Sequence, residues 1–70
     1  MKYRYSESER EDILTDPWLT DREREVFVYF YMRGWKIEDI AAEMDVSRTT
    51  VQNVLHDIRK RHPPNELNMS

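Results

Sequence analysis

The sequence predicts an all-α fold: a small bundle of about four helices containing a helix-turn-helix. Three observations predict it. Apolar residues recur three and four apart in successive segments, the spacing of a buried helical stripe, and the alternation of a half-buried strand is missing. Two capping boxes, Ser6 to Glu9 and Thr20 to Glu23, mark helix starts. The single glycine, Gly34, and the prolines at 17, 63 and 64 fall between the periodic segments, where helices stop.

The first capping box opens a helix from about Ser6 to Thr15. Ile13 and Leu14 are its only large apolar residues, and the ring of Pro17 pushes Asp16 out of the α region. This helix is expected to bury little and to fray. The second box opens a helix that runs toward Gly34, a residue suited to the left-handed conformation that ends helices. At about 100° per residue, Val26, Tyr29 and Phe30 share one arc and Phe27 and Tyr31 an adjoining one. That surface is wider than one packing partner requires. The N-terminal segment, through Ile13, Leu14 or Trp18, or else another chain, is expected to cover the rest. Trp18 and Trp35, at helix entrances, read as lids over the core.

Ile37, Ile40, Ala41 and Met44 give a third helix one buried stripe. Val51, Val54, Leu55 and Ile58 repeat that spacing on a fourth, opened by Ser47 as N-cap and closed before His62-Pro63-Pro64. Residues 1–18 therefore read as a short helix and linker, 19–62 as the helix-turn-helix domain, and 63–70 as a flexible tail. Seventy residues make one domain of marginal stability, which a partner subunit would reinforce.

Several functions are excluded at this level. With no cysteine there is no disulfide and no thiolate metal site, which fits a reducing cytoplasm. No stretch approaches the roughly 18 apolar residues of a membrane span, and the N-terminus lacks an apolar export core, so a cytoplasmic protein without membrane contact is expected. His56 and His62 are six residues apart on different sides of a helix and lack a third ligand. The carboxylates of residues 7–25 read as a solvated face. No nucleophile–base pair or phosphate-binding glycine loop is present, so neither catalysis, nor a cofactor, nor a small-molecule substrate is expected.

The third and fourth helices, joined by about three residues with Ala41 small at their closest approach, form the helix-turn-helix. Asp45 sits where such turns want a positive φ, which Asp tolerates better than most residues. Leu19 to Val26, the glycine-bounded helix, DIAAEMDVS and TVQNVLHDIRKR together resemble the LuxR/GerE-type helix-turn-helix domain, and are similar also to region 4 of bacterial sigma factors. The resemblance covers roughly Leu19 to Arg61 and implies a recognition helix, Ser47 to Arg61, that enters the major groove of DNA. LuxR-type domains carry a further helix through which two copies often pair; here Pro63-Pro64 and a polar run follow instead.

The chain's net charge of −3 argues against a polyanion partner only until it is divided. Residues 47–63 carry +3, whereas 1–25 carry −3, 26–46 carry −2 and 64–70 carry −1. Positive charge is thus concentrated on the element that would meet phosphates. On that helix Thr49, Asn53, His56 and Lys60 point most directly away from the core, Arg48, Gln52 and Arg59 lie on one flank, and Thr50, Asp57 and Arg61 on the other. Thr49, Gln52 and Asn53 are the expected base readers, with Arg48 reading guanine or holding phosphate. Ser47 caps the helix and offers its N–H groups to a phosphate, while Lys36, Arg59 and Lys60 supply backbone contacts at the rim. Thr50 and His56 complete the candidate set. Asp57 and Arg61, four apart, are expected to form a solvated pair. The expected partner is double-stranded DNA, bound by a homodimer or alongside a second transcription protein. The competing expectation is a protein-interaction module that binds RNA polymerase or another regulatory protein.

Overall fold

A computed structural model of the chain describes residues 5–63. These form α1 (Glu7–Leu14), α2 (Asp21–Phe27), a π-helical turn (Val28–Met32) that continues α2, α3 (Ile37–Met44) and α4 (Arg48–Arg61), with no strand among the described residues. The expected tail lies, apart from Pro63, outside them.

Local chemistry sets most of the boundaries. In both capping boxes the hydrogen bonds run in both directions. Ser6 Oγ accepts from the Glu9 amide at 3.2 Å while Glu9 Oε1 accepts from the Ser6 amide at 2.8 Å. The Thr20–Glu23 pair repeats this at 3.1 and 3.0 Å. Ser47 Oγ accepts from the Thr50 amide at 3.1 Å and opens α4. Gly34 ends the second helical segment with φ +74°, as its position implied.

One local feature is not in the sequence expectation. The helix entered at Asp21 does not stay α-helical to Gly34. Its last turn widens, with the Arg33 amide donating to the Val28 carbonyl, five residues back, at 3.0 Å. Tyr31, inside that turn, packs against both halves of the core.

Those halves are distinct. Val26, Ile40, Ala41, Val51 and Leu55 fill the space between α2, α3 and α4, while Tyr5, Ile13, Leu19, Phe27 and Ile58 form a second cluster between the N-terminal segment, α2 and the end of α4. The wide apolar arc of the second helix is therefore covered from within the chain, by Tyr5, Ile13 and Leu14. Trp18 takes no part and stands 78 % exposed, so it is not a lid; its position before Leu19 leaves Leu19 to fill that space. Trp35 stacks on Tyr29 with ring centroids 4.4 Å apart.

As expected, α1 itself buries little, with Ile13 its one fully enclosed residue and Leu14 half-buried. Ile13 is fully buried, which is worth about 1.5–3 kcal/mol relative to exposure. Three further ties hold the segment. The Tyr5 hydroxyl donates to the His62 carbonyl at 2.6 Å, and burial pushes its pKa up, so it remains a donor. Arg24 donates to the carbonyls of Leu14, Asp16 and Leu19 at 3.0 to 3.3 Å. His62 Nε2 lies 2.8 Å from Asp16 Oδ2.

Candidate nucleic-acid interface

The turn between α3 and α4 fixes the geometry of everything beyond it. Asp45 adopts φ 58°, ψ 46°, the left-handed conformation its position required. That lets its amide donate to the Ala41 and Ala42 carbonyls and the Val46 amide donate to the Ala41 carbonyl at 3.0 Å, so the last carbonyls of α3 are satisfied while the chain reverses. Ala41, almost fully buried, gives α4 room to approach. Val51, Leu55 and Ile58 then bury one stripe of α4, with Val54 half-buried beside them.

Burying that stripe turns the opposite face outward. Arg48, Thr49, Gln52, Asn53, His56 and Lys60 are all exposed. Ser47 is exposed at the helix entrance, and its hydroxyl lies 3.0 Å from that of half-buried Thr50, which is thereby occupied in the cap. Lys36 is exposed and shares a shallow cleft with Phe30, Ile37, Glu38, Arg48 and Gln52, which brings it to the entrance of α4.

The basic run at the far end of α4 is less uniform than its sequence. Arg59 is half-buried and donates to the Tyr31 hydroxyl at 3.0 Å. Arg61 does not pair with Asp57. Its guanidinium lies 3.8 Å from Asp16 Oδ2, because Asp16 is held at the end of α4 by His62. Lys60, between them, points to solvent.

Asp16 is the polar junction that the sequence reading missed, and its partner lies 46 residues away, beyond the reach of any local pattern. Its side chain is only 8 % exposed. Oδ2 faces His62 and Arg61, while Oδ1 accepts from the Trp18 amide at 2.9 Å. The hydrogen bond from His62, then that from Trp18, hold its carboxyl below the ordinary Asp range. A depressed carboxylate contributes stability that is present above its unfolded pKa of about 3.9 and lost as pH falls through the folded value. The stability difference between the wild-type chain and Asp16→Asn is therefore expected to be largest above about pH 4 and to shrink below it. Urea unfolding at a series of pH values measures this, and a pH-independent difference would remove the carboxylate from the account.

Among the described residues no group of three or more His, Asp or Glu side chains is arranged to hold a metal ion, and no helix is long and apolar enough to cross a membrane.

Residues 19–61 match the family model described as Sigma-70, region 4. No curated protein and no solved structure matches the chain. The matched span runs from Leu19 to Arg61, and thus includes the helix-turn-helix and omits α1 and Asp16.

Proposed function

The chain belongs to the sigma-70 region 4 family, and from that premise we propose that it is a small transcription regulator that binds duplex DNA sequence-specifically, with α4 in the major groove. The observation that carries this reading is the exposed polar face of α4, set on the one net-positive stretch of the chain. Thr49, Gln52 and Asn53 read base edges, since Gln and Asn can pair bidentately with adenine. Arg48 reads guanine or holds a phosphate. Lys36 and Lys60 hold phosphates at either end, Arg59 does so from its seat on Tyr31, and Ser47 does so through the helix entrance. Thr50 positions Ser47, and His56 lies on the groove-facing side. One module of this size buries little DNA-facing surface, so two copies on paired half-sites, or one copy beside a second transcription protein, complete the site.

Salt dependence tests the reading. Four cationic contacts, at a slope of about −0.9 each, weaken binding roughly 100-fold between 50 and 200 mM salt. Fluorescence anisotropy on a labelled duplex reads the slope. Salt-independent or absent binding to any duplex would instead favour a protein-interaction module contacting RNA polymerase or another regulatory protein, a reading supported by the acidic excess of residues 1–25.

A further inference from the structure

Helical spacing puts Arg48, Gln52 and Arg59 on one flank of α4, and the π-helical turn meets that flank at two points. At the entrance of the helix, Phe30 lines the shallow cleft that holds Lys36, Arg48 and Gln52. At the far end, the hydroxyl of Tyr31, the next residue, accepts from Arg59 at 3.0 Å. Two adjacent residues of the turn thus back both ends of the flank, and such turns recur at functional sites.

Tyr31 is fixed before anything binds. Its ring makes T-shaped contacts with Tyr5 and Phe30, centroids 4.9 and 5.0 Å away, and a tilted one with Phe27 at 5.1 Å. Tyr5 is itself buried and tied through its hydroxyl to the His62 carbonyl. The acceptor offered to Arg59 therefore has a set place, and a guanidinium oriented by it loses less side-chain freedom on meeting a phosphate.

The chemistry of the acceptor matters as well. A phenol takes one of the five N–H donors of a guanidinium and, unlike a carboxylate, cancels none of its charge. Arg61, on the other flank, has the opposite arrangement and faces the Asp16 carboxylate at 3.8 Å. We propose that Tyr31 is a positioning residue of the DNA interface: its hydroxyl aims the Arg59 guanidinium along the flank shared with Arg48 and Gln52, so that the cation meets the DNA backbone already oriented. This inference rests on the reading of α4 as the DNA-binding helix. It adds that a residue outside α4, braced by Tyr5 from beyond the span that matches the family, sets one of the phosphate contacts.

Fluorescence anisotropy on a labelled duplex of random sequence, titrated between 50 and 200 mM salt, tests it with the wild-type chain, Arg59→Ala, Tyr31→Phe and the double variant. Arg59→Ala is expected to reduce the slope of log affinity against log salt by about 0.9, the value of one contact, which makes its loss of affinity roughly threefold greater at 50 mM than at 200 mM. Tyr31→Phe keeps the ring and its packing and is expected to reproduce most of that change. Added to Arg59→Ala, it alters affinity and slope no further, because the hydroxyl has nothing left to aim. The inference is overturned if Tyr31→Phe binds with the wild-type affinity and slope, or if it weakens binding equally in both backgrounds, as a general loss of stability would. In either case salt-dependent binding by the wild-type chain leaves the DNA reading of α4 standing. A wild-type chain that binds no duplex, or binds without salt dependence, removes that reading and this inference together.

Discussion

A chain cut to residues 19–61, the span that matches the family model, is expected to show no cooperative thermal transition. The cut removes Tyr5 and Ile13 from a cluster of five buried residues and leaves Phe27 and Ile58, both fully or almost fully buried in the intact chain, facing water. It also removes Asp16 and His62 together, with the tie they make across the end of α4. A graded version of the experiment keeps the chain intact. Ile13→Ala should cost about 2–5 kcal/mol, as large-to-small changes at fully buried aliphatic sites do. For a domain of this size each kcal/mol shifts the melting temperature by about 4–8 °C, so a fall of at least about 8 °C is expected. Small domains stand at the low end of the usual 5–15 kcal/mol, which is why the whole segment is more than they can lose. Circular dichroism melts decide the matter: a cooperative melt for residues 19–61 near the wild-type temperature would make the N-terminal segment an accessory rather than part of the core.

The second large effect is expected on DNA. Arg48→Ala combined with Asn53→Ala should reduce affinity for a selected duplex site by roughly 100-fold or more, from about 1–3 kcal/mol for each bidentate pair lost. The same variant should lose much less on random duplex, because only Arg48 has a phosphate role and Lys36 and Lys60 remain. Both side chains are exposed, so stability should change by no more than about 0.5 kcal/mol and the comparison is free of unfolding. Selection of the site from a randomised duplex pool, followed by competition titrations of both proteins, provides the measurement. Equal affinity of variant and wild type for the selected site would take α4 out of the major groove.

What was legible in the sequence is what chemistry writes locally. Both capping boxes, the left-handed Asp45 and Gly34, and the stripes of α3 and α4 each depend on residues a turn or two apart, and each stands in the structure where the residues imply. The outward face of α4 followed from its buried stripe. The misreadings have one physical origin: they concern partners chosen by the tertiary fold. Arg61 turns from Asp57 to Asp16, and His62, weighed in the sequence only as a metal ligand, closes a junction with a residue 46 positions away. Trp18 reads as a lid from its place at a helix entrance, whereas Leu19 is the residue buried there. The weak apolar content of α1 concealed its importance, because a single isoleucine, fully enclosed, anchors a helix whose remaining residues are largely solvated. The widened turn at Val28–Met32 has no compositional signal of this kind.

That turn also governs how the chain tolerates changes of length. A π-helical turn holds an extra residue within its span of helix axis. Deleting one of its five residues would let the turn close as an ordinary α-helical one, so Val26 and Phe27 before it and Gly34 after it would keep their places while the aromatics inside it were re-aimed. Tyr31, which joins the two clusters and accepts from Arg59, is the side chain such a change would move. The additional residue is thus a local phase setter, aiming the aromatics of the second helix without altering the direction in which the chain leaves it.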